Sequence, residues 1–212
     1  MFFYTQNTHK LCEFNTADKI CEAALTLFAQ QGFFNTSMHH IQKESKISIG
    51  AIYHHFKDKK GIASALQENI LAQMDVAFID VINQHKTFEE KYFNIVKLLL
   101  VMTEEEPRTM KFIFHSKYSE YSDLNKSIFQ SKPFQNIHHE MTSGCENDAF
   151  NQQECSIDLI MATLFSLPIQ LIQLRLDGVI KKPITDRAEL IYKVIWDGLC
   201  SEFQNTGKKI SD

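Results

Sequence analysis

The strongest constraint on the fold is a run of apolar residues that recurs at helical spacing from residue 16 onward. Positions three and four apart fall on one face of a helix, and the first run keeps to such a stripe: Ile20, Ala23, Ala24, Leu27 and Phe28. Thr16 is a suitable N-cap for this helix, and Gly32 is a suitable glycine at its end. The chain has only 7 Gly and 4 Pro in 212 residues and no strand-like alternation. The sequence therefore predicts an all-α fold of about nine helices.

Two short helices are predicted directly after the first one. The earlier helix begins at Ser37 and ends near Ser45, and the later one begins at Ser48 and ends near Phe56. Asp58 then caps a longer helix that continues to about residue 82. A short helix, a tight turn and a second short helix, with a preceding helix to pack on, form a helix-turn-helix arrangement.

The rest of the chain has longer helical patterns. They predict helices at 88–106, 107–117, 133–145, 152–177 and about 186–204, with a polar, turn-rich stretch at 119–131. The predicted organisation is a loose tail at 1–15, an N-terminal three-helix helix-turn-helix domain at 16–62, a connecting helix to about 82, and a larger helical domain at 83–212.

Three features predict a cytoplasmic protein that does not enter a membrane. The longest near-apolar stretch, 159–172, is too short and too polar to span a bilayer. The N-terminus has no basic region before an apolar one. The 5 cysteines are odd in number and include no CxxC pair, which is typical of reduced thiols.

Segments 17–33, 35–41 and 48–59 together resemble the opening of TetR-type (tetracycline-repressor-like) transcriptional regulators, the TetR/AcrR family. The resemblance rests on the joint spacing of Gly32, Ser37, Ser48, Gly50, Tyr53, Phe56 and Lys59. It covers about residues 16–65 and implies that this part binds DNA. The remainder matches in length and helical character only. For that part the resemblance implies a domain that binds a small effector and forms a two-fold dimer.

Several helix-turn-helix residues suit contacts with a DNA duplex on chemical grounds. Gly50 lacks a Cβ, so its backbone can approach a phosphate or a base edge. Ser37 and Ser48 lie where helix N-termini attract phosphate, and Lys59 can bind a phosphate as a point charge. The residues predicted to bind DNA are Thr36, Ser37, His39, Gln42, Lys46, Ser48, Ile49, Gly50, Ala51, Tyr53, His54, His55 and Lys59. The alternatives are that Gly50 is a turn glycine, that the serines are ordinary caps and that Tyr53 is half-buried.

The chain departs from the family pattern at four positions of the helix-turn-helix. The turn has Lys46 where the family usually has Gly, and Gln42 and Ser45 stand where Ala is usual. Lys46 can adopt a left-handed turn at some cost, and Ile49 can contact a thymine methyl but cannot hydrogen-bond a base. The first 75 residues contain no Arg, so no Arg–guanine pair is available. We expect modest specificity per base pair and a site that favours A·T pairs.

The net charge of −4 is unevenly distributed. Residues 1–75 contain 7 basic and 7 acidic side chains, and residues 76–212 contain 15 and 19. Within 36–62, five lysines and four histidines accompany only Glu44 and Asp58, which gives +3 without the histidines. The sequence therefore predicts a positive DNA-binding surface and an acidic second domain.

The last two long helices are the predicted dimer interface, since 155–177 is apolar on more than one face. The predicted interface residues are Leu164, Phe165, Pro168, Ile169, Ile172, Val194, Ile195 and Leu199. A monomer with a fully buried central helix is the alternative.

A largely apolar effector pocket is predicted from the aromatic and methionine residues of the middle helices. They are Tyr92, Phe93, Met102, Met110, Phe114, His115, Tyr118, Phe134, His138 and Met141. The alternative is that most of them are core residues. No basic cluster accompanies them, so a highly anionic effector is not expected.

Enzyme and metal motifs give no support to a catalytic function. The sequence has no HExxH, E-x-x-H, GxGxxG, Walker or GxSxG pattern, and adjacent histidines point about 100° apart on a helix. No cofactor or metal is expected. We predict a ligand-responsive repressor that binds a palindromic double-stranded operator as a homodimer. The alternatives are a regulator that senses a partner protein instead, or a small helical ligand-binding protein or enzyme.

Overall fold

A computed structural model describes residues 15–115, 130–145 and 157–206. Within these ranges the chain forms nine α-helices and no strand. They are α1 (Thr16–Asn35), α2 (Met38–Ser45), α3 (Ile49–His55), α4 (Lys59–Gln84), α5 (Phe88–Glu105), α6 (Pro107–His115), α7 (Lys132–Cys145), α8 (Ile157–Leu176) and α9 (Ala188–Thr206). A 3-10 turn, Thr185–Arg187, precedes α9. The predicted all-α fold is confirmed, and most of the predicted tail at 1–15 lies outside the described residues.

The ends of α1 show one wrong prediction and one confirmed one. Asn15, not Thr16, is the N-cap, because its side chain accepts a hydrogen bond from the Asp18 backbone N–H while the Asp18 carboxylate accepts one from Asn15. Gly32 has φ 82° and ψ 166°, a conformation that a side chain would strain. The regular helix therefore breaks at the predicted glycine.

The described residues divide into two compact units. The first contains the described parts of residues 1–75 and 105–132, and the second those of 76–104 and 133–212. The first unit thus includes α6, which the sequence analysis assigned to the second domain. The reason is local, because the Phe112 ring of α6 stacks on Phe28 of α1 with centroids 5.7 Å apart.

The core of the first unit holds the helix-turn-helix in place. Ile20 of α1, Ile41 of α2, Ile52 of α3 and Ile62 of α4 are all fully buried. Each helix therefore contributes an apolar side chain to one core, and burial of such a side chain stabilises by about 1.5–3 kcal/mol. Helices as short as α2 and α3 depend on that packing, since isolated short helices are marginal in water.

The second unit has an aromatic core. Tyr92 of α5 is fully buried, and its hydroxyl donates a hydrogen bond to the Leu164 carbonyl of α8 at 2.8 Å. The Phe165 and Phe134 rings pack edge-on with centroids 6.0 Å apart. Burial raises the pKa of Tyr92. The hydroxyl therefore stays protonated and remains a donor in the core.

A carboxylate clamp joins three segments of the second unit. Glu104 of α5 accepts two hydrogen bonds from the Arg175 guanidinium of α8, both at 2.8 Å, and a third from the Ile184 backbone N–H at 3.0 Å. The Arg175 hydrogen bond, helped by the one from Ile184, holds the pKa of Glu104 below its ordinary value despite burial. The clamp fixes the end of α5 to α8 and to the segment before α9.

The helix α8 is longer than the near-apolar stretch that the sequence analysis considered. The segment Asp158–Leu176 has 19 residues and a mean hydropathy of 1.6, so by length and composition it could cross a membrane. The prediction that it is too short is therefore wrong. The core helix of a soluble protein meets the same criterion, and Leu164, Phe165 and Ile172 are buried in the second unit. The criterion is thus weak support for a membrane span.

Candidate nucleic-acid interface

The first short helix, α2, begins with a complete cap. The Ser37 hydroxyl accepts a hydrogen bond from the His40 backbone N–H at 3.1 Å, and the His40 ring Nδ1 accepts one from the Ser37 N–H at 3.3 Å. Ile41 anchors the helix in the core. His39 and Gln42 lie one turn apart, with His39 Nδ1 and Gln42 Oε1 separated by 3.3 Å. The predicted start at Ser37 is confirmed.

The turn between α2 and α3 depends on Lys46. It has φ 58° and ψ 21°, the left-handed region, and its backbone N–H donates to the Gln42 carbonyl at 3.0 Å. Among the described residues it is the sole non-glycine with positive φ. The predicted left-handed turn is confirmed, at a cost of about 1–2 kcal/mol for a residue with a Cβ.

The second short helix, α3, has a buried side and an exposed side. Ser48 caps it by accepting from the Ala51 N–H at 3.3 Å, and Ile52 is fully buried. Tyr53 is 52% exposed, and His54 and His55 are exposed beside it. About half of the Tyr53 side chain is therefore covered, and it is not a core residue.

Gly50 lies on this exposed surface, inside α3. A Cβ built there would meet no atom within 4 Å, and its φ is not positive. Neither packing within the chain nor a turn conformation requires a glycine at this position. The turn-glycine alternative is therefore wrong, and the open space leaves room for another molecule to approach the backbone.

Eight of the thirteen predicted DNA-binding residues are exposed, four are half-buried and one is buried. The exposed ones are Ser37, His39, Lys46, Ser48, Gly50, Tyr53, His54 and His55, and Gln42, Ile49 and Ala51 are half-buried. Thr36 is 2% exposed, and its hydroxyl donates to the Gly32 carbonyl at 2.9 Å. Its side chain therefore serves the α1–α2 turn, and this predicted contact is wrong. Lys59 is half-buried and directs its ammonium at two backbone carbonyls.

Two residues of the first unit, Gln31 and Arg108, make contacts that could not be predicted from the sequence. Gln31 donates from its amide to the Asn35 carbonyl at 3.1 Å and to the Thr36 hydroxyl at 3.2 Å. Arg108 of α6 pairs with Glu22 of α1 at 2.9 Å and donates to Thr26. Nothing in the local sequence pairs position 108 with positions 22 and 26, so only the tertiary structure shows this link.

A groove of about 440 Å³ lies beside the Arg108 link, in the first unit. It is lined by Lys19, Glu22, Ala23, Thr26, Glu44, Ser45 and Arg108. Charges of both signs line it, and none of these residues belongs to the predicted effector pocket.

The described residues predicted for an effector pocket are divided between the two units. Tyr92, Met102 and Phe134 are buried in the second unit, whereas Met110 is buried in the first. Phe93 is half-buried against the Tyr192 ring, Phe114 is half-buried in the first unit, and His138 lies 3.4 Å from Asp158. Tyr118 and the side chains of His115 and Met141 lie outside the described residues. The four buried residues are core residues, which share the composition of an apolar pocket.

Most of the predicted dimer residues also belong to the core of the chain. Leu164, Phe165, Pro168, Ile169, Ile172 and Ile195 are buried within the second unit, so their assignment to an interface is wrong. Val194 is 58% exposed, and the side chain of Leu199 lies outside the described residues. The exposed apolar residues of these helices are Leu159, Leu190 and Val194.

Among the described residues, no group of three or more His, Cys, Asp and Glu side chains is placed to hold a metal ion. Burial, with a smaller effect of Asp18, raises the pKa of the Cys21 thiol to about 11. That thiol is therefore protonated and weakly nucleophilic at neutral pH.

Comparison with known proteins agrees with this geometry. The family model of bacterial regulatory proteins of the tetR family matches residues 20–66, which contain α2, α3 and most of α1. Residues 20–66 of this chain therefore match the N-terminal domain of tetR-family regulators. The HTH-type transcriptional regulator AcrR of Shigella flexneri is 35% identical over 107 residues, which is 47% of this chain and 48% of AcrR.

Two further similarities extend over more of this chain. The icaADBC biofilm operon negative transcriptional regulator IcaR of Staphylococcus aureus (strain Newman) is 27% identical over 122 residues, 52% of this chain and 64% of IcaR. The alignments thus span less than two thirds of either curated relative. The regulator FadR of Bacillus subtilis, solved with stearoyl-CoA, has a TM-score of 0.73 and 17% identity, covering 84% of this chain and 96% of FadR. At that identity the likeness establishes the fold.

Proposed function

We propose that this chain is a DNA-binding transcriptional regulator, a ligand-responsive repressor that binds a palindromic operator as a dimer. The observation that carries the proposal is the exposed side of α3. Ile52 anchors the helix, while Gly50, Tyr53 and His54 face outward with open space at Gly50. A glycine that neither packing nor backbone conformation requires is explained by a duplex that approaches the helix closely.

The roles on the duplex follow from the chemistry of each side chain. Tyr53 and His55 donate to phosphates, which sets the register of the helix without reading sequence. His39, Gln42 and His54 offer donors and acceptors to base edges, and Ile49 offers an apolar contact to a thymine methyl. The positive charge of segment 36–62 adds attraction that depends on salt.

Repression and response to a ligand are supported by the relatives. IcaR is named a negative regulator, and the FadR structure contains stearoyl-CoA. We infer a small effector for this chain, and its largely apolar character is proposed from the aromatic and methionine residues of the sequence rather than from stearoyl-CoA. A partner-sensing regulator is the second candidate, and thermal-shift screening of acyl and aromatic compounds separates the two, because a ligand of the native state raises the apparent melting temperature.

The signal is proposed to pass through α6, which belongs to the first unit, and through α4, whose residues 59–75 belong to it. α4 is one continuous helix from residue 59 to 84, and α6 reaches α1 through Arg108 and Glu22. Effector binding that shifts either helix changes the placement of α3, and two recognition helices must keep a fixed spacing to bind one operator. As a DNA-binding regulator the chain acts in the cytoplasm.

Dimerisation is proposed through the outward faces of α8 and α9. Leu159 is 58% exposed, Leu190 55% and Val194 58%, and the two helices contact each other. A second copy that covers these side chains removes apolar surface from water and pairs two DNA-binding units.

A bulky residue at Gly50 tests the proposal. Gly50→Leu adds a side chain into space that the fold leaves open, so folding is retained while approach to the duplex is blocked. Ala72→Leu, at an exposed position of α4, is the matched control. Fluorescence anisotropy with duplexes selected by the wild-type chain is expected to show at least about a hundredfold loss for Gly50→Leu and none for Ala72→Leu. Failure of the wild-type chain to select any duplex sequence would contradict the proposal.

A further inference from the structure

Lys59, the first residue of α4, is bonded to the protein itself. Its Nζ donates to the Phe33 carbonyl at 2.7 Å and to the Thr36 carbonyl at 2.6 Å. The same ammonium lies 4.3 Å from the centroid of the Phe33 ring. Two of its three N–H donors therefore point at one short segment, 33–36.

That segment determines how α1 joins α2. The regular backbone of α1 breaks at Gly32, Thr36 is the C-cap, and Ser37 is already the N-cap of α2. The Thr36 N–H also donates to the Phe33 carbonyl at 3.2 Å. Carbonyls at a helix end carry partial negative charge, so an ammonium between them stabilises this turn in one conformation.

The site is partly shielded from water. Phe33 is 5% exposed and Lys59 is half-buried, and burial lowers the pKa of Lys59. Hydrogen bonds from a charged donor to carbonyls are stronger in such surroundings than in water. A lysine that binds a DNA phosphate needs a free ammonium group, whereas the Lys59 ammonium already donates to two backbone carbonyls.

We propose that Lys59 is a positioning residue, which ties the start of α4 to the α1–α2 turn and thereby fixes α2 and α3 for specific DNA binding, rather than a ligand of a DNA phosphate. The inference rests on the proposed function. It replaces the phosphate contact expected from the sequence. In this account the Lys59 side chain connects the start of α4 to the α1–α2 turn through its hydrogen bonds.

The two roles differ in their dependence on salt. A lysine that neutralises one phosphate contributes about 0.9 to the slope of log affinity against log salt concentration, on specific and non-specific DNA alike. A positioning lysine contributes to specific binding only, because non-specific binding needs charge but no fixed placement of α3. Its loss lowers the specific affinity and leaves the slope unchanged.

The test compares Lys59→Met with Lys57→Met, an exposed lysine two residues earlier. The probes are an operator duplex selected by the wild-type chain and a scrambled duplex, each measured over a salt series. For Lys59→Met we expect the ratio of specific to non-specific affinity to fall by about tenfold or more with both salt slopes unchanged. Lys57→Met is expected to keep that ratio.

A slope reduced by about 0.9 on both duplexes, with the ratio retained, would overturn the inference. If Lys59→Met does not fold, Lys59→Gln removes the charge but keeps N–H donors, and the same slope criterion applies. Hydrogen exchange adds a readout of the turn itself. In Lys59→Met, faster exchange confined to the backbone amides of residues 33–40 is expected. Unchanged exchange there would contradict a role of the Lys59 hydrogen bonds in stabilising the turn. Absence of specific binding by the wild-type chain would instead refute the proposed function.

Discussion

Lys46, in the turn between α2 and α3, has a left-handed backbone conformation that glycine adopts more readily than lysine. Its φ of 58° is imposed by the turn, because its N–H must reach the Gln42 carbonyl while the next residues lead into α3. The strain of about 1–2 kcal/mol arises at Lys46, the position where the family usually has Gly. The exposed lysine at this position instead adds positive charge to the surface of the helix-turn-helix.

Lys46→Gly is therefore expected to raise the free energy of unfolding by about 0.5–1 kcal/mol, the strain relieved less the extra entropy of glycine in the unfolded chain. Urea unfolding measures this change. Lys46→Ala is the control, because it removes the charge but keeps the Cβ, and it is expected to give no such gain. Equal stability of the two variants would show that strain is not the cause.

His54 is an exposed donor and acceptor near the C-terminal end of α3, in a segment without arginine. His54→Ala is expected to change the consensus recovered when binding sites are selected again from random duplexes, since it removes a base contact. Tyr53→Phe, which removes only a phosphate donor, is expected to weaken binding to all sequences alike and to leave the consensus in place. An unchanged consensus for His54→Ala would remove His54 from the readout.

At the residue scale, the features that could be predicted are those that depend on neighbouring residues in the sequence. The serine caps, the left-handed turn at Lys46 and the break at Gly32 follow from residue type and spacing within a few positions. The internal hydrogen bonds of Thr36 and Lys59 could not be predicted, because their acceptors, the carbonyls of Gly32 and Phe33, are backbone atoms that any residue would supply. No pattern of side chains indicates such a bond.

Helices α5 and α8 are joined by the Glu104–Arg175 pair, which also bonds the Ile184 N–H. Glu104→Gln is expected to lower the free energy of unfolding by about 1–2 kcal/mol, because charge-assisted bonds are lost and a half-buried guanidinium loses its counter-charge. Glu105→Gln, an exposed neighbour, is the control and is expected to have little effect. Chemical unfolding at neutral pH measures both.

The same pair predicts the response of stability to acid. The Arg175 hydrogen bonds lower the pKa of Glu104 in the folded state, so its contribution is complete above the ordinary carboxyl range. The contribution decreases as the pH falls through that range and is lost below the lowered folded-state pKa. The difference in stability between the wild-type chain and Glu104→Gln should therefore shrink with acid. A difference that does not vary with pH would contradict this role of the ion pair.

Helix positions could be predicted to within a few residues, but the direction in which each helix faces could not. α8 is apolar on more than one side, so periodicity does not tell which side meets the core. Leu164 and Phe165 face the core, and Leu159 faces outward. The place of α6 likewise depends on Phe112 and Arg108 meeting α1, which are contacts between distant parts of the chain.

The whole molecule is proposed to work as a dimer, and its exposed apolar residues allow a test. Val194→Glu places a charge on the outward face of α9 and is expected to weaken dimerisation by roughly a hundredfold, since like charges meet across a two-fold interface. Val179→Glu is the matched control, at a residue 67% exposed after the end of α8. Sedimentation equilibrium measures both. A dimer unaffected by Val194→Glu would exclude this face.

Charge distribution at this scale explains how a chain of net charge −4 can bind DNA. The excess of acidic residues lies in 76–212, and the segment around α2 and α3 carries +3. Binding should therefore weaken steeply with added salt, while the acidic remainder limits non-specific association.

Footprinting of the wild-type chain on its selected duplex tests the central claim most directly. If two copies place α3 in successive major grooves, two protected half-sites related by a palindrome are expected, with centres about 10–10.5 base pairs apart or a multiple of that spacing. Gly50→Leu should abolish both half-sites together. A single protected half-site, or protection that does not depend on sequence, would contradict the account.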